Sequence, residues 1–274
     1  MTQAKYSKFK GLEYNPKDDF CSFWGKRTNC YFRQILEKSA LYASNFTQMN
    51  DIDEFRYSFT YNSNISKREI FDIIKMLFNM KQKFYFCSFS KFSRKEDQLM
   101  WAHYANGFLG IKIDFEISQE NYGFVVPVKY SDKISTISNI YNIQVDEMKE
   151  IMTTKNTCWK YEREFRAIFT DNNFKELATD FDGKVKHYFP IQIKRITLGR
   201  KFCQENLFYN EIDEDNCEFN ENVLKVARFI YEVLKNTNIY GKKPKRKFPI
   251  ISAYKTKYSP RSCEISKEKL EVER

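Results

Sequence analysis

The sequence predicts an α+β fold built on a twisted, largely antiparallel sheet with flanking helices. Strand patterns dominate the middle of the chain, helical patterns lie on both sides of them, and the two do not alternate as βαβ units would. Hydrophobic residues make up 42% of the 274 residues and charged residues 30%, the balance of a folded globular protein. We expect one α+β domain over residues 21–240, between a loosely held polar N-terminal arm (1–20) and a basic C-terminal segment (241–274).

In the first quarter of this domain, the sequence predicts short strands that alternate with helices. Residues 21–28, CSFWGKRT, indicate a short strand in which aromatic and basic side chains lie side by side. Residues 31–38 carry apolar side chains at helical spacing, and residues 41–44, LYAS, indicate a second short strand. A capping box opens residues 66–78, where apolar residues again recur at helical spacing, so a helix is predicted there.

The middle of the chain is richest in strand signals. Residues 84–90, FYFCSFS, predict a strand with aromatic side chains on both faces, which indicates that both faces are covered. Residues 98–105 predict a short helix that ends at Asn106-Gly107. Residues 110–115 alternate apolar and polar side chains, and this pattern and the one at 124–130 predict two further strands.

The last part of the domain is predicted to contain a helix-like stretch, then three strands, then a second helix. Residues 134–157 are polar but helix-like, whereas residues 164–170 predict a strand. Two more strands are expected at 185–189 and 191–198. An amphipathic helix is predicted over residues 223–234, because the apolar side chains there form one face.

Composition excludes several classes of function. The chain contains no GxGxxG and no GxxxxGK[ST] motif, which excludes the simplest dinucleotide-binding and P-loop interpretations. Its seven cysteines are scattered without CxxC pairs, and only two histidines are present, so we interpret the cysteines as reduced thiols and expect no metal site. An apolar leader and a long apolar stretch are both lacking, and we therefore expect a cytoplasmic protein that does not enter a membrane.

Positive charge is concentrated near the C-terminal end. The chain has 46 Lys and Arg against 36 Asp and Glu, a formal charge of +10. The densest run comprises Lys242, Lys243, Lys245, Arg246 and Lys247. Such a run can be a solvated face, or it can neutralise phosphates and release their counterions. Aromatic residues flank it and could stack on bases, so the second interpretation predicts RNA or single-stranded DNA as the partner.

Two glutamates carry the strongest candidate chemistry. Glu162 and Glu164 lie two residues apart where a strand is predicted to begin, so their carboxylates should point to the same face. Repulsion and burial would raise the pKa of at least one of them, as in acid–base catalysis. The alternative is an ordinary ion-pair ladder in which Arg163 and Arg166 neutralise the two glutamates.

Further polar and aromatic side chains could contact a ligand. Hydroxyls are present at Ser88 and Ser90, and a short helical segment carries Trp101, His103 and Tyr104. Trp101 and Tyr104 are three residues apart and are expected to share a helix face. A serine nucleophile is not supported, because neither serine lies in a GxSxG elbow.

The order of several motifs resembles a widespread bacterial family of unassigned function. Members of that family carry an "S..lND..E" turn, a "W.HY....G…F" block and a "W.YE.E.R" block in this order and spacing. The corresponding segments here lie between Phe23 and Gly199, and they read LYASNFTQMNDIDEF, CSFS, LMWAHYANGFLGIKIDF, VKYSD, CWKYEREFR and ITLG. The opening segment CSFWGKRT matches the family less well.

That family in turn resembles, more distantly, the ADP-ribosyltransferase superfamily, including DarT-like and CmdT-like toxins that modify nucleic acid. The resemblance implies NAD as co-substrate and an ADP-ribosyltransferase-like fold. It also implies that Arg27 on an early strand holds NAD, and that Ser88 or Ser90 braces the nicotinamide side. Glu164 would stabilise the ribosyl cation, and Glu162 would orient or deprotonate the acceptor.

The resemblance suggests roles for the remaining candidates as well. Tyr42, Trp101 or Tyr104 would stack on nicotinamide or adenine, with His103 as a further candidate contact. The NDIDE turn has two interpretations, backbone capping and an acceptor site, and the residues concerned are Asn50, Asp51 and Glu54.

The leading hypothesis is therefore an NAD-dependent transferase that modifies RNA or single-stranded DNA, as the toxin of a toxin–antitoxin or phage-defence system with a protein antitoxin as partner. The alternatives are a non-catalytic nucleic-acid-binding protein, and a hydrolase that acts on NAD or a nucleotide in the same site.

Overall fold

A computed structural model describes most of the chain, over residues 5–48, 55–59, 65–93, 98–137, 139, 142–170, 177–179, 185–204, 221–237, 248–259 and 262–269. The α-helices are α1 (Phe20–Gly25), α2 (Arg27–Lys38), α3 (Lys67–Gln82), α4 (Gln98–Tyr104), α5 (Val145–Thr153), α6 (Lys201–Gln204) and α7 (Glu221–Asn236). The strands are β1 (Lys5–Gly11), β2 (Ala40–Asn45), β3 (Tyr57–Phe59), β4 (Phe84–Lys91), β5 (Gly110–Glu116), β6 (Val125–Pro127), β7 (Lys129–Tyr130), β8 (Ser135–Ile137), β9 (Thr154–Lys155), β10 (Glu164–Thr170), β11 (Leu177–Thr179), β12 (Val185–Pro190), β13 (Gln192–Leu198), β14 (Ile250–Ser259) and β15 (Ser262–Lys269). Short 3-10 turns lie at Phe46–Gln48, Gln119–Phe124 and Thr157–Glu162.

The chain forms two compact units, each assembled from separate stretches of sequence. The first unit consists of Met1–Ala40, Phe92–Ser118 and Pro190–Arg274. The second unit consists of Leu41–Lys91 and Gln119–Phe189. Strands pair mostly antiparallel in both units, so the predicted α+β class with a largely antiparallel sheet is confirmed. The unit boundaries do not coincide with the boundaries predicted at residues 20 and 240.

The sheet of the first unit has the strand order β1-β5-β13-β14-β15. β5 pairs antiparallel with β1 and β13, and β13 pairs parallel with β14. The N-terminal residues, predicted to be a loosely held arm, instead pair along the whole of β5, and both Tyr6 and Phe9 are buried. The basic C-terminal segment likewise contains the antiparallel pair β14 and β15. Each segment contributes a strand with buried apolar side chains to the sheet of the first unit. The strands that they pair with, β5 and β13, lie far away in the sequence, so the local sequence does not reveal this pairing.

Helices α1 and α2 replace the strand predicted at residues 21–28, so that prediction was wrong. The side chain of Asp19 accepts a hydrogen bond from the Ser22 backbone N–H, and the Ser22 hydroxyl accepts one from the Asp19 backbone N–H. This reciprocal cap starts α1, whose Phe23 and Trp24 are buried. After one non-helical residue, Lys26, the chain enters α2.

The second unit contains a sheet in the order β11-β12-β2-β4, and β10 pairs with β4. β10 and β4 are antiparallel over seven residue pairs, from Glu164↔Ser90 to Thr170↔Phe84. The other edge of β10 carries β6. The strand predicted over 124–130 is divided into β6, which pairs with β10, and β7, which pairs with β9. Within the described residues of the helix-like stretch 134–157, α5 is the one α-helix, and it lies between β8 and β9.

Helix α3 begins where the capping box predicts. Ser66 accepts a hydrogen bond from the Glu69 backbone N–H, and the Glu69 carboxylate accepts one from the Ser66 backbone N–H. One face of the helix packs into the core of the second unit, whose members are Phe55, Ile73, Leu77, Phe86, Ile137, Met148, Ile151, Met152 and Ile168. Among the described residues, none of the helices is long and apolar enough to cross a bilayer.

We predict that Gly199→Ala destabilises the protein while Gly25→Ala does not. A Cβ at residue 199 would lie 2.1 Å from the carbonyl oxygen of Phe108, so the backbone would have to move. A Cβ at residue 25, the last residue of α1, meets no atom within 4 Å. Urea unfolding should show a loss of about 2 kcal/mol or more for Gly199→Ala and a change within about 0.5 kcal/mol for Gly25→Ala. Equal effects would contradict this packing.

Candidate functional site

The carboxylate of Glu164 is the centre of the site. Glu164 is the first residue of β10 and is only 5% exposed. The guanidinium of Arg166 donates to both of its oxygens, from Nε to Oε1 at 2.8 Å and from Nη2 to Oε2 at 3.3 Å. Two residues apart on one strand, the two side chains lie on the same face of the sheet. The strand geometry therefore positions a charge-assisted pair without help from a loop.

Lys155 joins the second glutamate to the first. Its Nζ donates to Oε2 of Glu162 at 2.7 Å and to Oε2 of Glu164 at 3.3 Å. Glu162 does not lie on a strand, because it ends a 3-10 turn and is followed by Arg163 in the left-handed conformation with φ 46°. Lys155, Glu162, Glu164 and Arg166 are called the carboxylate cluster below. It contains two anions and two cations.

Arg166 is the most deeply buried member of the carboxylate cluster, with none of its surface exposed. Besides Glu164, it binds the backbone carbonyl of Met152 through Nη1 at 2.6 Å. Its guanidinium lies 5.2 Å from the centre of the Phe55 ring, and Nζ of Lys155 lies 4.9 Å from that of Trp159. Aromatic faces and a backbone carbonyl thus contact the two cations in addition to the carboxylates.

The pKa of Glu164 is lowered, whereas the sequence predicts a raised pKa for at least one of the two glutamates. Burial acts to raise the pKa of Glu164, but the charge and hydrogen bonds of Arg166, the charge of Lys155 and the nearby hydroxyl of Ser88 outweigh burial and lower it to about 2. Glu164 is therefore not the glutamate with a raised pKa. Crowding of two glutamates fails to raise it because two cations are buried with them. Of the alternatives left open by spacing, neutralisation of Glu164 by Arg166 is what the structure contains.

Strand β4, which carries the predicted site residues Ser88 and Ser90, pairs with β10 beside Glu164. Ser90 is opposite Glu164 and Ser88 is opposite Arg166 in the β4–β10 register. Directly opposite residues of paired strands share a face, so all four side chains are on one side of the sheet. The structure thus brings Ser88, Ser90, Glu162 and Glu164 into one part of the second unit.

Two residues of the site were missed by the sequence analysis. Lys155 lies on β9, a two-residue strand within a stretch predicted to be helical, and the pairing of β9 with β7 positions it. Tyr130 ends β7, and its hydroxyl accepts a hydrogen bond from the backbone N–H of Glu164 at 2.7 Å. Burial raises the pKa of the Tyr130 phenol. A lone Lys carries no local signal that could have found Lys155, whereas Tyr130 lies in the segment VKYSD, which the family resemblance includes without assigning it a role.

The other candidate ligand contacts are distributed between the units. Tyr42 is an exposed residue of β2 in the second unit, and its hydroxyl donates to Oε1 of Gln48 at 3.0 Å. Arg27 belongs to the first unit and is the exposed first residue of α2. The early strand on which Arg27 was expected to hold NAD is therefore replaced by a helix.

Helix α4 of the first unit carries three candidates in different environments. Trp101 is 2% exposed and packs edge-on against Phe9, with ring centres 5.3 Å apart. Tyr104 is 39% exposed, and His103 is also exposed in the last turn of the helix. Although Trp101 and Tyr104 are three residues apart on α4, the indole is buried in the core and the phenol is exposed to solvent.

Several predicted site residues lie outside the described residues: Asn50, Asp51, Glu54, Lys242, Lys243, Lys245, Arg246 and Lys247. Within the described part of the chain, no group of three His, Cys, Asp or Glu side chains is arranged to hold a metal ion. Comparison of the chain with protein-family models, curated proteins and solved structures finds no match. Its function is therefore argued from the site itself.

We predict that Glu164→Gln lowers the free energy of unfolding by about 3–5 kcal/mol at neutral pH, because it leaves the buried Arg166 with a neutral partner. A carboxylate with a lowered pKa stabilises the fold above its ordinary pKa of 4.5, and this contribution is lost as the pH falls toward about 2. The difference between wild type and Glu164→Gln should therefore shrink over this range, as measured by urea unfolding at a series of pH values.

The matched control is Glu150→Gln, which breaks the exposed ion pair between Glu150 and Lys129 at 3.1 Å. Exposed pairs contribute little, so this variant should lose less than about 1 kcal/mol. A loss at Glu150 as large as that at Glu164 would show that burial of the carboxylate cluster is not the cause.

Proposed function

We propose that the protein is an NAD-dependent ADP-ribosyltransferase that modifies RNA or single-stranded DNA. The observation that carries the proposal is a buried carboxylate, Glu164, that stays ionised at physiological pH beside the hydroxyls of β4. Cleavage of the nicotinamide–ribose bond develops an oxocarbenium ion. A preorganised anion stabilises that charge, whereas a carboxyl group with a raised pKa would suit proton donation instead.

The roles of the other residues follow from their positions around Glu164. Ser90 lies directly opposite Glu164 and Ser88 directly opposite Arg166, so both hydroxyls lie on the face where the ribose and nicotinamide would bind. Glu162 is held by the same Lys155 and is assigned to orient or deprotonate the acceptor. Arg27 is left out of this assignment, since it lies on the exposed start of a helix in the first unit.

The acceptor and the biological setting rest on charge. A net charge of +10 favours a polyanionic acceptor, and the run of cations between residues 242 and 247 would supply sequence-independent phosphate contacts. An enzyme that modifies nucleic acid in its own cytoplasm must be restrained. We therefore assign the protein to a toxin–antitoxin or phage-defence system, with a protein antitoxin as its partner.

A second candidate function is favoured by one specific observation. Arg166 is completely buried and occupies both oxygens of Glu164 as well as a backbone carbonyl. A cluster so fully paired can stabilise the fold without any substrate. In that case the protein is a non-catalytic nucleic-acid-binding protein. A hydrolase acting on NAD or a nucleotide would use the same carboxylate with water as the acceptor.

The test is incubation with labelled NAD and separate pools of RNA, single-stranded DNA, duplex DNA and cell protein. We expect wild type to label a single-stranded nucleic acid. Glu164→Gln should abolish both transfer and NAD consumption, because it removes the anion that stabilises the ribosyl cation. Glu162→Gln disturbs the same Lys155 and serves as the matched variant: it should lose transfer but continue to hydrolyse NAD. Rates are compared per folded molecule, from circular dichroism at the assay temperature.

Each alternative gives a different result in this assay. Release of free ADP-ribose without labelling of any pool would identify a hydrolase. Intact NAD in every pool would reject the enzymatic proposal and leave nucleic-acid binding. Losses of activity that follow only the folded fraction of each variant would reject a direct role for Glu164.

We predict that replacing the five cations between residues 242 and 247 by glutamine weakens binding to oligo-dT and reduces the salt dependence of the affinity. If all five contact phosphates, the slope of log K against log salt should fall by about 3–4 for a single strand. The control is replacement of Lys129, Lys133 and Lys149, exposed lysines of the second unit. If the salt slope is unchanged by the five substitutions, or falls as much in the control, the run of cations does not contact phosphates and is a solvated segment.

A further inference from the structure

Helix α3 exposes an apolar stripe beside the face that packs into the core of the second unit. The stripe consists of Phe71, Ile74 and Phe78, which are 65%, 43% and 44% exposed. The spacing i, i+3, i+7 places them along one face of the helix. Ile73 and Leu77 on the adjacent face are buried in the core, so the helix already has its packing partner. The exposed parts of the three stripe side chains are apolar surface that this packing leaves uncovered.

Positive charge surrounds the most exposed member of the stripe. Two cations precede Phe71 on the helix, Lys67 by four residues and Arg68 by three, and Lys75 follows it by four. Residues at these spacings are neighbours on the helix surface. All three are exposed, and within the described part of the chain none makes an ion pair. The nearest acidic residue is the adjacent Asp72, so the border carries a net positive charge.

We propose that this stripe is the docking surface for an acidic amphipathic helix of a partner protein. Side chains at i, i+3 and i+7 are the pattern on which a second helix packs. The cationic border would pair with acidic residues that flank the partner's apolar face. A second copy of this chain does not fit, because two such borders would face each other with like charge.

The composition of the stripe distinguishes a protein partner from other anionic ligands. Single-stranded nucleic acid binds through stacking on successive ring faces, whereas an aliphatic side chain, Ile74, lies between Phe71 and Phe78. The ring of Phe78 already contacts Phe46 edge-on, with ring centres 5.2 Å apart. A lipid surface is disfavoured by size. The stripe is about 10 Å long, and its three side chains bury too little apolar area for stable membrane attachment.

The proposal is independent of the NAD chemistry and is tested by binding to the full-length protein. The probe is a fluorescent synthetic helix with leucines at i, i+3, i+4 and i+7 between glutamates. A second peptide has lysine in place of every glutamate, and oligo-dT and phosphatidylserine vesicles are compared in the same assay. Phe71→Ser tests the stripe. Met76→Ser is the matched control, because Met76 lies on the same helix off the stripe and is 40% exposed.

We expect the acidic peptide to bind at least about tenfold more tightly than the lysine peptide, and added salt to weaken it. Phe71→Ser should weaken binding about tenfold, while Met76→Ser should leave it within about twofold of wild type. Both residues are exposed, so both variants should retain the wild-type circular dichroism spectrum. Failure of the acidic peptide to bind, or equal binding by the two variants, would overturn the proposal. So would oligo-dT or vesicle binding that requires Phe71 when peptide binding does not.

Discussion

The buried guanidinium of Arg166 is the constraint around which this part of the second unit is organised. A cation removed from water is tolerated only when it is paired and its N–H groups are hydrogen-bonded. Glu164 supplies the counter-charge from the same strand, and Met152 supplies a backbone carbonyl from the end of α5. Lys155 then balances the second carboxylate, Glu162. Because each charged side chain of the carboxylate cluster is paired with one of opposite charge, removal of one leaves an uncompensated charge in the interior.

This balance of charge has consequences for any chemistry at the site. A carboxylate whose ionisation is secured by its neighbours is a stable anion and a poor proton donor, which matches stabilisation of a developing cation. The same neighbours, Arg166 and Lys155, also pair with the Glu164 carboxylate when no substrate is bound. Catalysis would then require the substrate cation to compete with Arg166 and Lys155 for Glu164. The site can serve as a catalytic centre or as a structural core, and turnover of NAD distinguishes the two.

Helix α3 shows how one amphipathic pattern can be divided between folding and recognition. Its capping box and buried residues determine where it begins and which face meets the core. Apolar side chains continue beyond that face to Phe71 and Ile74, where they meet solvent and a border of cations. From the sequence, all of these apolar residues contribute equally to a helical pattern. Only the packed structure separates those that hold the helix from those left exposed.

The sequence by itself determined what depends on neighbouring residues: the α+β class, the start of α3 and the strand at β10. Residues at short spacing meet wherever the chain folds, so their contacts can be inferred from pattern. Only the tertiary structure decided the pKa of Glu164, because Lys155 and Ser88 reach it from other strands. It also decided that the N-terminal segment is a strand, since its partner, β5, begins about a hundred residues later. Long-range pairing leaves no local signal, and this is why part of the candidate site escaped prediction.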